Sequence, residues 1–315
     1  MTTSSNASDQ INDSYNKTRL TKKSIFLPLQ LCKVATLRYK KTMKILLLGK
    51  TGLLGSEFPE ILEKAQIDFV APAHHELDLL DFPKVNQFLA GNFFDKILYC
   101  AAYTDVDEAE KEQGLCEIMN VKALENILTH RRPIIHFSTD YVFNAPSNLS
   151  IPENYERKPL NFYGQSKVQA EILLENSGIP FWNIRPSWLF GKNKENFITK
   201  IIKLSQEKDV LEIVNDQIGR PTYTKDLAEF VVQNFLQKEQ QTGHFHLQNS
   251  GNPVSWADFA NYFLQKKNWE GQIRKISSDE LINKTTRPKN SVLKNTKLPE
   301  GLRNWQEATD EFLNS

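Results

Sequence analysis

The chain has 315 residues, of which 40% are hydrophobic and 24% are charged. This length and composition allow a sizeable core, which excludes a disordered, collagen-like or coiled-coil protein. The formal charge is +1, and residues 1–42 hold eight Lys or Arg against two Asp or Glu, so the remaining body is acidic and nucleic acid is not expected as a partner.

Residues 1–42 are rich in Ser, Thr, Asn and Lys. We predict a disordered amino-terminal extension there, with a transit peptide as the alternative. The three cysteines, Cys32, Cys100 and Cys116, form no CxxC and have no His at ligand spacing. That pattern disfavours a disulfide framework or a structural zinc site and indicates the reducing cytoplasm. No apolar run approaches the roughly 20 residues of a membrane helix, so no membrane partner is expected.

From residue 43, short apolar strands alternate with helical segments. Strands are predicted at 43–48, 69–71, 96–100, 134–137 and 181–185, and helices at 53–64, 83–89, 117–130 and 167–175. This order predicts an α/β fold with a Rossmann-type, doubly wound parallel sheet over residues 43–190.

Beyond residue 190 the pattern loosens. Helices are predicted at 196–206, 225–237 and 256–266, and strands at 211–214 and 243–247. No Pro/Gly/Ser-rich linker marks a boundary, so residues 191–315 are predicted to form a smaller substrate lobe that interleaves with the first domain.

A glycine-rich turn connects the first strand to the first helix. Its GxxGxxG spacing resembles the dinucleotide fingerprint, in which glycines let the backbone approach a pyrophosphate at a helix amino terminus. The alternative is a turn that merely packs well. The candidate cofactor-binding residues are Gly49, Thr51, Gly52, Leu53, Leu54 and Gly55.

The end of the second strand bears on the choice of coenzyme. An NAD site usually has a carboxylate there for the ribose, but this chain has none, which favours NADPH with NADH left open. His74 or His75 is a candidate neighbour of the 2′-phosphate, or a solvated loop residue. Asp78, followed by Leu79, is placed to reach the adenine amine or to cap the next helix.

Tyr163 and Lys167 are four residues apart in a predicted helix, so their side chains share a face. An ammonium beside a phenol is expected to lower the phenol pKa toward neutrality, which suits proton transfer to a carbonyl oxygen. Thr139 follows a predicted strand at its carboxyl end, where ligands bind in open α/β sheets, and is a candidate to hydrogen-bond the same carbonyl.

Together these motifs resemble the extended short-chain dehydrogenase/reductases, and within them the dTDP-4-dehydrorhamnose reductases. The resemblance runs from residue 43 nearly to the end of the chain. It rests on GKTG at 49–52, CAAYTDVD at 100–107, Asn120, STDYVF at 138–143, YGQSK at 163–167, RPSWLFG at 185–191, DQIGRPT at 216–222 and RPKNS at 287–291.

The resemblance implies reduction of the C4 ketone of a dTDP-6-deoxy-hexulose to dTDP-L-rhamnose by NADPH or NADH. Tyr163 would supply the proton, Lys167 would bind the nicotinamide ribose, and Thr139 would position the carbonyl. Asn120 would bridge backbone groups. Cofactor-lining positions are Ala101, Ala102 and Tyr103; substrate positions are Thr139, Asp140, Tyr141, Trp188, Arg220 and Arg287.

Other readings remain open. A related UDP-sugar reductase or epimerase shares the glycine turn and the Tyr/Lys pair, and the beta subunit of methionine adenosyltransferase is a non-catalytic regulatory protein of similar sequence. Some family members bind Mg²⁺ at a dimer contact. A homodimer is therefore considered, although no carboxylate cluster here demands the metal.

Overall fold

The computed structural model describes residues 43–282 and 284–315, so the prediction for residues 1–42 lies outside the described chain. Six parallel strands form the main sheet in the order β10-β5-β4-β3-β1-β2. Its strands are β1 (Lys44–Leu48), β2 (Asp68–Val70), β3 (Lys96–Tyr99), β4 (Ile134–Phe137), β5 (Phe181–Arg185) and β10 (Gly243–His246). The predicted doubly wound parallel sheet is confirmed.

The helices of the first part cover both faces of this sheet. They are α1 (Phe58–Lys64), α2 (Phe82–Gly91), α3 (Val106–Ala109), α4 (Gln113–Glu117), α5 (Ala123–Leu128) and α6 (Phe162–Asn176). Helices α3 and α4 were not predicted, and α6 begins five residues before the predicted range of 167–175. The chain after the glycine turn begins with a 3-10 turn at Gly55–Glu57, and the segment predicted as one helix at 117–130 opens into a π turn at Ile118–Lys122.

The second part forms small sheets and four helices. The strands are β6 (Leu189–Phe190), β7 (Val210–Val214), β8 (Ile218–Gly219), β9 (Thr222–Tyr223), β11 (Asn249–Ser250), β12 (Val254–Ser255), β13 (Gln272–Ile276), β14 (Asn290–Ser291) and β15 (Leu302–Asn304). The helices are α7 (Phe197–Ser205), α8 (Thr224–Val231), α9 (Trp256–Lys266) and α10 (Trp305–Leu313). Strand β10 returns to the main sheet and pairs in parallel with β5.

Apolar strands explain why the sheet is buried on both faces. Ile45 and Leu47 pack into a cluster with α1 and α8, whereas Leu46 and Leu48 pack on the other face with α2 and α5. Alternate residues of one strand thus serve two cores, as expected for a parallel sheet covered on both sides. None of the described helices is both long and apolar enough to cross a bilayer.

The strand order fixes where a ligand can enter. Strand β1 lies between β2 and β3, so successive connections leave it toward opposite sides of the sheet. The carboxyl ends of strands at such a switch point border a crevice in open α/β sheets. Gly49 follows β1 there, and Ala101 and Thr139 lie just beyond the ends of β3 and β4.

Candidate active site

The glycine turn is packed against the end of β3. Gly49 has a φ of +88°, and a Cβ built on it would lie 2.5 Å from the backbone N of Ala101. A Cβ on Gly55 would collide with the carbonyl oxygen of Gly49. Both positions therefore require glycine, and their backbone forms a close-fitting cradle at the carboxyl end of β1.

The loop after β2 carries the candidate coenzyme-selecting residues. His74 and His75 are exposed, and the ammonium of Lys50, from the glycine turn, lies 3.8 Å from the carboxylate of Glu76. Asp81, not Asp78, caps helix α2 by accepting a hydrogen bond from Lys84 N at 3.1 Å. Asp78 accepts one from Leu80 N at 3.0 Å, so it stays in the loop between β2 and α2.

Asn120 holds the segment after β3 in place. Its Oδ1 accepts a hydrogen bond from Tyr103 N at 2.8 Å, and its Nδ2 donates to Tyr103 O at 3.1 Å. The same Nδ2 lies 2.9 Å from the hydroxyl of Ser166 on α6. The predicted backbone-bridging contacts of Asn120 are present, and they join the Ala101–Ala102–Tyr103 stretch to the helix that carries Tyr163.

Helix α6 presents Tyr163 and Lys167 from one face. Asn161 caps the helix by accepting a hydrogen bond from Gly164 N at 2.8 Å, so Tyr163 stands in the first turn. Gly164 is needed there because a Cβ would lie 2.5 Å from Tyr141 O. Lys167 is only 1% exposed, and its Nζ donates to Phe137 O, at the end of β4, at 2.7 Å.

Thr139 lies beside this pair. Its hydroxyl faces the phenol of Tyr163 and donates to Asp140 Oδ1 at 3.1 Å, while Tyr141 N donates to Thr139 Oγ1 at 3.2 Å. The ring of Tyr141 meets that of Tyr163 edge-on, with centroids 5.8 Å apart. The structure thus gathers Thr139, Asp140, Tyr141 and Tyr163 at one place.

Electrostatics correct one expectation. Burial raises the pKa of Tyr163 above its usual value, so the prediction that this pKa lies nearer neutrality is wrong for this arrangement. Burial also lowers the pKa of Lys167 to about 8 and raises that of Asp140 to about 6. Near neutral pH, Tyr163 therefore keeps its proton and Lys167 is mostly charged.

A cavity of about 510 Å³ lies in the second part of the chain. Phe197, Lys200 and Trp256 are among its lining residues. Trp188 stacks on Trp256 with ring centroids 3.6 Å apart, and its φ is +49°. A Cβ on Gly219 would lie 2.6 Å from the Trp188 indole. Trp188 therefore packs closely against Gly219 and supports Trp256, which lines the cavity.

A second cavity of about 540 Å³ joins the first to Tyr141. Lys200, Lys284 and Arg287 line both cavities. Asp107 orients two of these cations, because its Oδ2 lies 3.0 Å from Lys284 Nζ and 3.0 Å from Arg287 Nη2. Among the described residues the buried Nε of Arg287 has no hydrogen-bond partner, which leaves a donor for an anionic ligand.

Arg220 is not brought to this place. Its guanidinium donates to Gly251 O at 2.7 Å and to Leu293 O at 3.2 Å, and it lines a separate cavity. These contacts hold loops of the second part together. Of the two arginines that the resemblance assigns to the substrate, only Arg287 lines the same cavity as Tyr141.

The cavity-lining residues that the sequence analysis missed include Lys200, Lys284 and Trp256. Lysines on helices and loops carry no local signal of ligand binding, and Trp256 begins α9 like an ordinary core residue. Only the folded structure shows that Lys200, Lys284 and Arg287 line the same two cavities. Within residues 43–282 and 284–315, no group of three or more His, Cys, Asp or Glu side chains is placed to hold a metal ion.

Comparison with known proteins agrees with this geometry. The family model described as the RmlD substrate binding domain matches residues 43–315. The spore coat polysaccharide biosynthesis protein SpsK of Bacillus subtilis is 35% identical over 86% of this chain and 96% of its own length. The dTDP-4-dehydrorhamnose reductase of Aggregatibacter actinomycetemcomitans is 30% identical over 84% and 96%.

Solved structures give the same result. The dTDP-4-dehydrorhamnose reductase of Bacillus anthracis, in complex with NADP, superposes with a TM-score of 0.81 at 28% identity over 87% of this chain and 99% of its own. An orthologue from Clostridium acetobutylicum has a TM-score of 0.81 at 30% identity, covering 86% and 99%. The chain therefore belongs to the dTDP-4-dehydrorhamnose reductase family of extended short-chain dehydrogenase/reductases.

Proposed function

We propose that the protein reduces the C4 ketone of dTDP-4-dehydro-L-rhamnose to dTDP-L-rhamnose with NADPH, and that NADH substitutes less well. One observation carries the proposal. The Tyr163 phenol and the Thr139 hydroxyl face each other, and the Lys167 ammonium is fixed on the same helix at the end of β4. This is the arrangement that a carbonyl reductase needs to deliver one proton to one oxygen.

The chain has a place for the coenzyme. Gly49 and Gly55 form a cradle that any Cβ would fill, at the switch point of a parallel sheet and before a helix, which suits a pyrophosphate. The candidate partners of a 2′-phosphate beyond β2 are the exposed His74 and His75, together with Lys50, whose ammonium lies 3.8 Å from Glu76. When bound, NADPH supplies the hydride.

Tyr163 acts as the general acid. Its raised pKa keeps the phenol protonated at neutral pH, and an alkoxide formed at C4 is a far stronger base that takes this proton. Thr139 holds the ketone oxygen within reach of the phenol. Lys167 stabilises the phenolate left behind, because its ammonium lies a single helical turn from Tyr163.

The two cavities suit a nucleotide sugar. Lys200, Lys284 and Arg287 lie where the cavities meet, so they are placed to bind the diphosphate, with the sugar directed to Tyr141 and the base toward Trp256. A guanidinium and ammonium groups are the usual partners of phosphate oxygens. Asp107 keeps Arg287 oriented before the ligand enters.

The test follows NADPH oxidation by purified protein at 340 nm with dTDP-4-dehydro-L-rhamnose and, separately, with a UDP-4-keto sugar. Turnover of the dTDP compound to a product identified as dTDP-L-rhamnose supports the proposal. Turnover of the UDP compound alone overturns the proposed substrate. Absence of turnover, with capture of a methionine adenosyltransferase catalytic subunit, replaces the reductase with the regulatory alternative.

A further inference from the structure

A buried chain of hydrogen bonds leads from Lys167 away from the proposed substrate cavities. The Lys167 Nζ lies 3.2 Å from His136 Nε2, in addition to its bond to Phe137 O. Both acceptors belong to strand β4, and His136, like Lys167, is 1% exposed. Two of the three ammonium N–H bonds are thus held by β4, which leaves one for the active site.

The hydrogen-bond pattern determines which nitrogen of His136 carries the proton. The Nδ2 of Asn183 lies 3.0 Å from the carboxylate Oε1 of Glu171, and a carboxylate only accepts, so this atom must be the amide donor. The Oδ1 of Asn183, 2.7 Å from His136 Nδ1, is therefore an acceptor. Because this oxygen only accepts, His136 must carry its proton on Nδ1, and its Nε2 lone pair therefore faces Lys167.

An ion pair anchors the far end of this chain. Arg185 donates to both carboxylate oxygens of Glu171, from Nε at 2.8 Å and from Nη2 at 2.6 Å, and this guanidinium lowers the pKa of Glu171. Burial lowers the pKa of His136 well below its ordinary value. Glu171 therefore stays charged and His136 stays neutral. From Lys167 through His136 and Asn183, each hydrogen bond is donated toward Glu171.

From this geometry we propose that His136 is a positioning residue of the reductase: its Nε2, oriented by Asn183, holds the Lys167 ammonium where it can act on Tyr163 and the cofactor ribose. The inference rests on the proposed reductase activity. A neutral acceptor suits this task, because it stabilises the ammonium by hydrogen bonding and does not neutralise the charge that the phenolate requires.

The alternative is that His136 only fills space in the core. Two substitutions separate these roles. His136→Leu keeps an apolar side chain of similar bulk and removes the acceptor, whereas His136→Gln can offer a carboxamide oxygen near the position of Nε2. His246→Leu is the matched control, because His246 is also 1% exposed but contacts Arg185 and Ile151 O rather than Lys167.

The first readout is the pKa of Lys167 in the protein without substrate, followed by NMR of ¹³Cε-labelled lysine and assigned with Lys167→Met. Glu171, Cys116 and Cys100 raise the pKa of Lys167 against burial, and His136 is the titratable group in direct contact with its Nζ. We expect His136→Leu to lower the pKa by about one unit, the value of one hydrogen bond to a charged group. His136→Gln and His246→Leu should leave it within about 0.3 units, well inside that shift.

The second readout is steady-state kinetics. We expect His136→Leu to lower kcat about tenfold or more with a less than twofold change in KM for the keto-sugar, and His136→Gln to recover most of kcat. If wild-type protein turns over no keto-sugar but the Lys167 pKa shifts as stated, the reductase proposal fails and the positioning role stands.

An unchanged pKa in His136→Leu overturns the proposal. So does a failure of His136→Gln to restore both the pKa and kcat, since the role would then be packing. Should His136→Leu not fold, Asn183→Leu takes its place: it frees His136 to carry its proton on Nε2, and the same downward shift of the Lys167 pKa is expected. No shift in that variant overturns the proposal equally.

Discussion

The hydroxyl of Thr139 donates its proton to Oδ1 of Asp140 at 3.1 Å. A hydroxyl has one proton to give, so toward Tyr163 the Thr139 oxygen acts as an acceptor. The Tyr163 phenol faces the Thr139 hydroxyl and keeps its proton near neutral pH. A ketone oxygen placed between the two side chains accepts the Tyr163 proton, and it is held by Thr139 when that hydroxyl turns its own proton from Asp140 to the ketone oxygen.

The contribution of Thr139 can be isolated by two substitutions. Thr139→Ala removes the hydroxyl and is expected to lower kcat about 10- to 100-fold, the usual cost of one hydrogen bond in a transition state. Thr139→Ser keeps the hydroxyl, so its kcat should stay within about threefold of wild type. Steady-state assays with the keto-sugar measure both. Equal losses in the two variants would assign the effect to the lost methyl group.

Removing the acid is expected to have a larger effect. Tyr163→Phe preserves the ring that meets Tyr141 but cannot give a proton, so kcat should fall about 10³-fold, within the range of general acid catalysis. The NADPH dissociation constant, followed by nicotinamide fluorescence, should change less than about twofold because it depends on the glycine turn.

Tyr223→Phe is the matched control, since Tyr223 is also fully buried but lies in β9, away from Thr139. It should keep wild-type kcat. A Tyr163→Phe enzyme with near-normal kcat would remove Tyr163 from the mechanism.

Lys167 gives the activity a pH dependence. Its pKa of about 8 results first from burial, and the ammonium form exists below that value. The kcat/KM for the free enzyme should therefore be flat near pH 7 and fall as pH rises through about 8. Lys167→Met should abolish this limb along with most of the activity. A profile that is level to pH 9 would show that the charge of Lys167 is not required.

The Lys167 side chain also gives the free energy of unfolding a pH dependence, and its trend is opposite to that of the activity. The folded pKa of Lys167, about 8, lies below its ordinary value of 10.5, so the unfolded chain binds more protons between these values. The free energy of unfolding contributed by this side chain consequently rises from pH 8 to pH 10.5. Denaturant titrations should show that the free energy of unfolding of wild type, relative to that of Lys167→Met, increases across that interval while wild-type activity declines.

Strands β1 and β3 could be predicted because, after its first residue, each is an unbroken apolar run, which is typical of buried parallel strands. β10 was predicted as a strand but assigned to the smaller lobe, since its sequence, Gly-His-Phe-His, says nothing about its partner. Its place beside β5 follows from the Arg185–His246 and Asn183–His244 contacts across the two strands.

The site was predictable where chemistry depends on neighbours in sequence. Tyr163 and Lys167 share a helix face, and Thr139 follows a strand. The direction of the Tyr163 pKa shift was not predictable, because its largest cause is burial, which only the folded chain shows. Nor could Arg287 be separated from Arg220, since only folding shows that one meets Asp107 and the other two backbone carbonyls.

These two arginines give a direct test of substrate binding. Arg287→Met should raise KM for the nucleotide sugar about 10- to 100-fold with little change in kcat, because a charge-assisted bond to the diphosphate is lost in ground state and transition state alike. Arg220→Met removes donors to Gly251 O and Leu293 O, so it should lower thermal stability and leave KM unchanged. The reverse pattern would move the diphosphate to the cavity lined by Arg220.

The requirement for glycine at position 49, in the turn proposed to hold the coenzyme, can be tested by substitution. Gly49→Ala places a Cβ 2.5 Å from Ala101 N at a φ of +88°, so we expect destabilisation by about 2 kcal/mol or more and a loss of NADPH affinity that exceeds tenfold. Gly91→Ala is the control: nothing lies within 4 Å of its Cβ, and it ends helix α2. Its stability should rise by about 0.4–1 kcal/mol because the unfolded chain loses freedom. Thermal unfolding and NADPH titration measure both variants, and unaltered NADPH binding by Gly49→Ala would show that the turn does not hold the coenzyme.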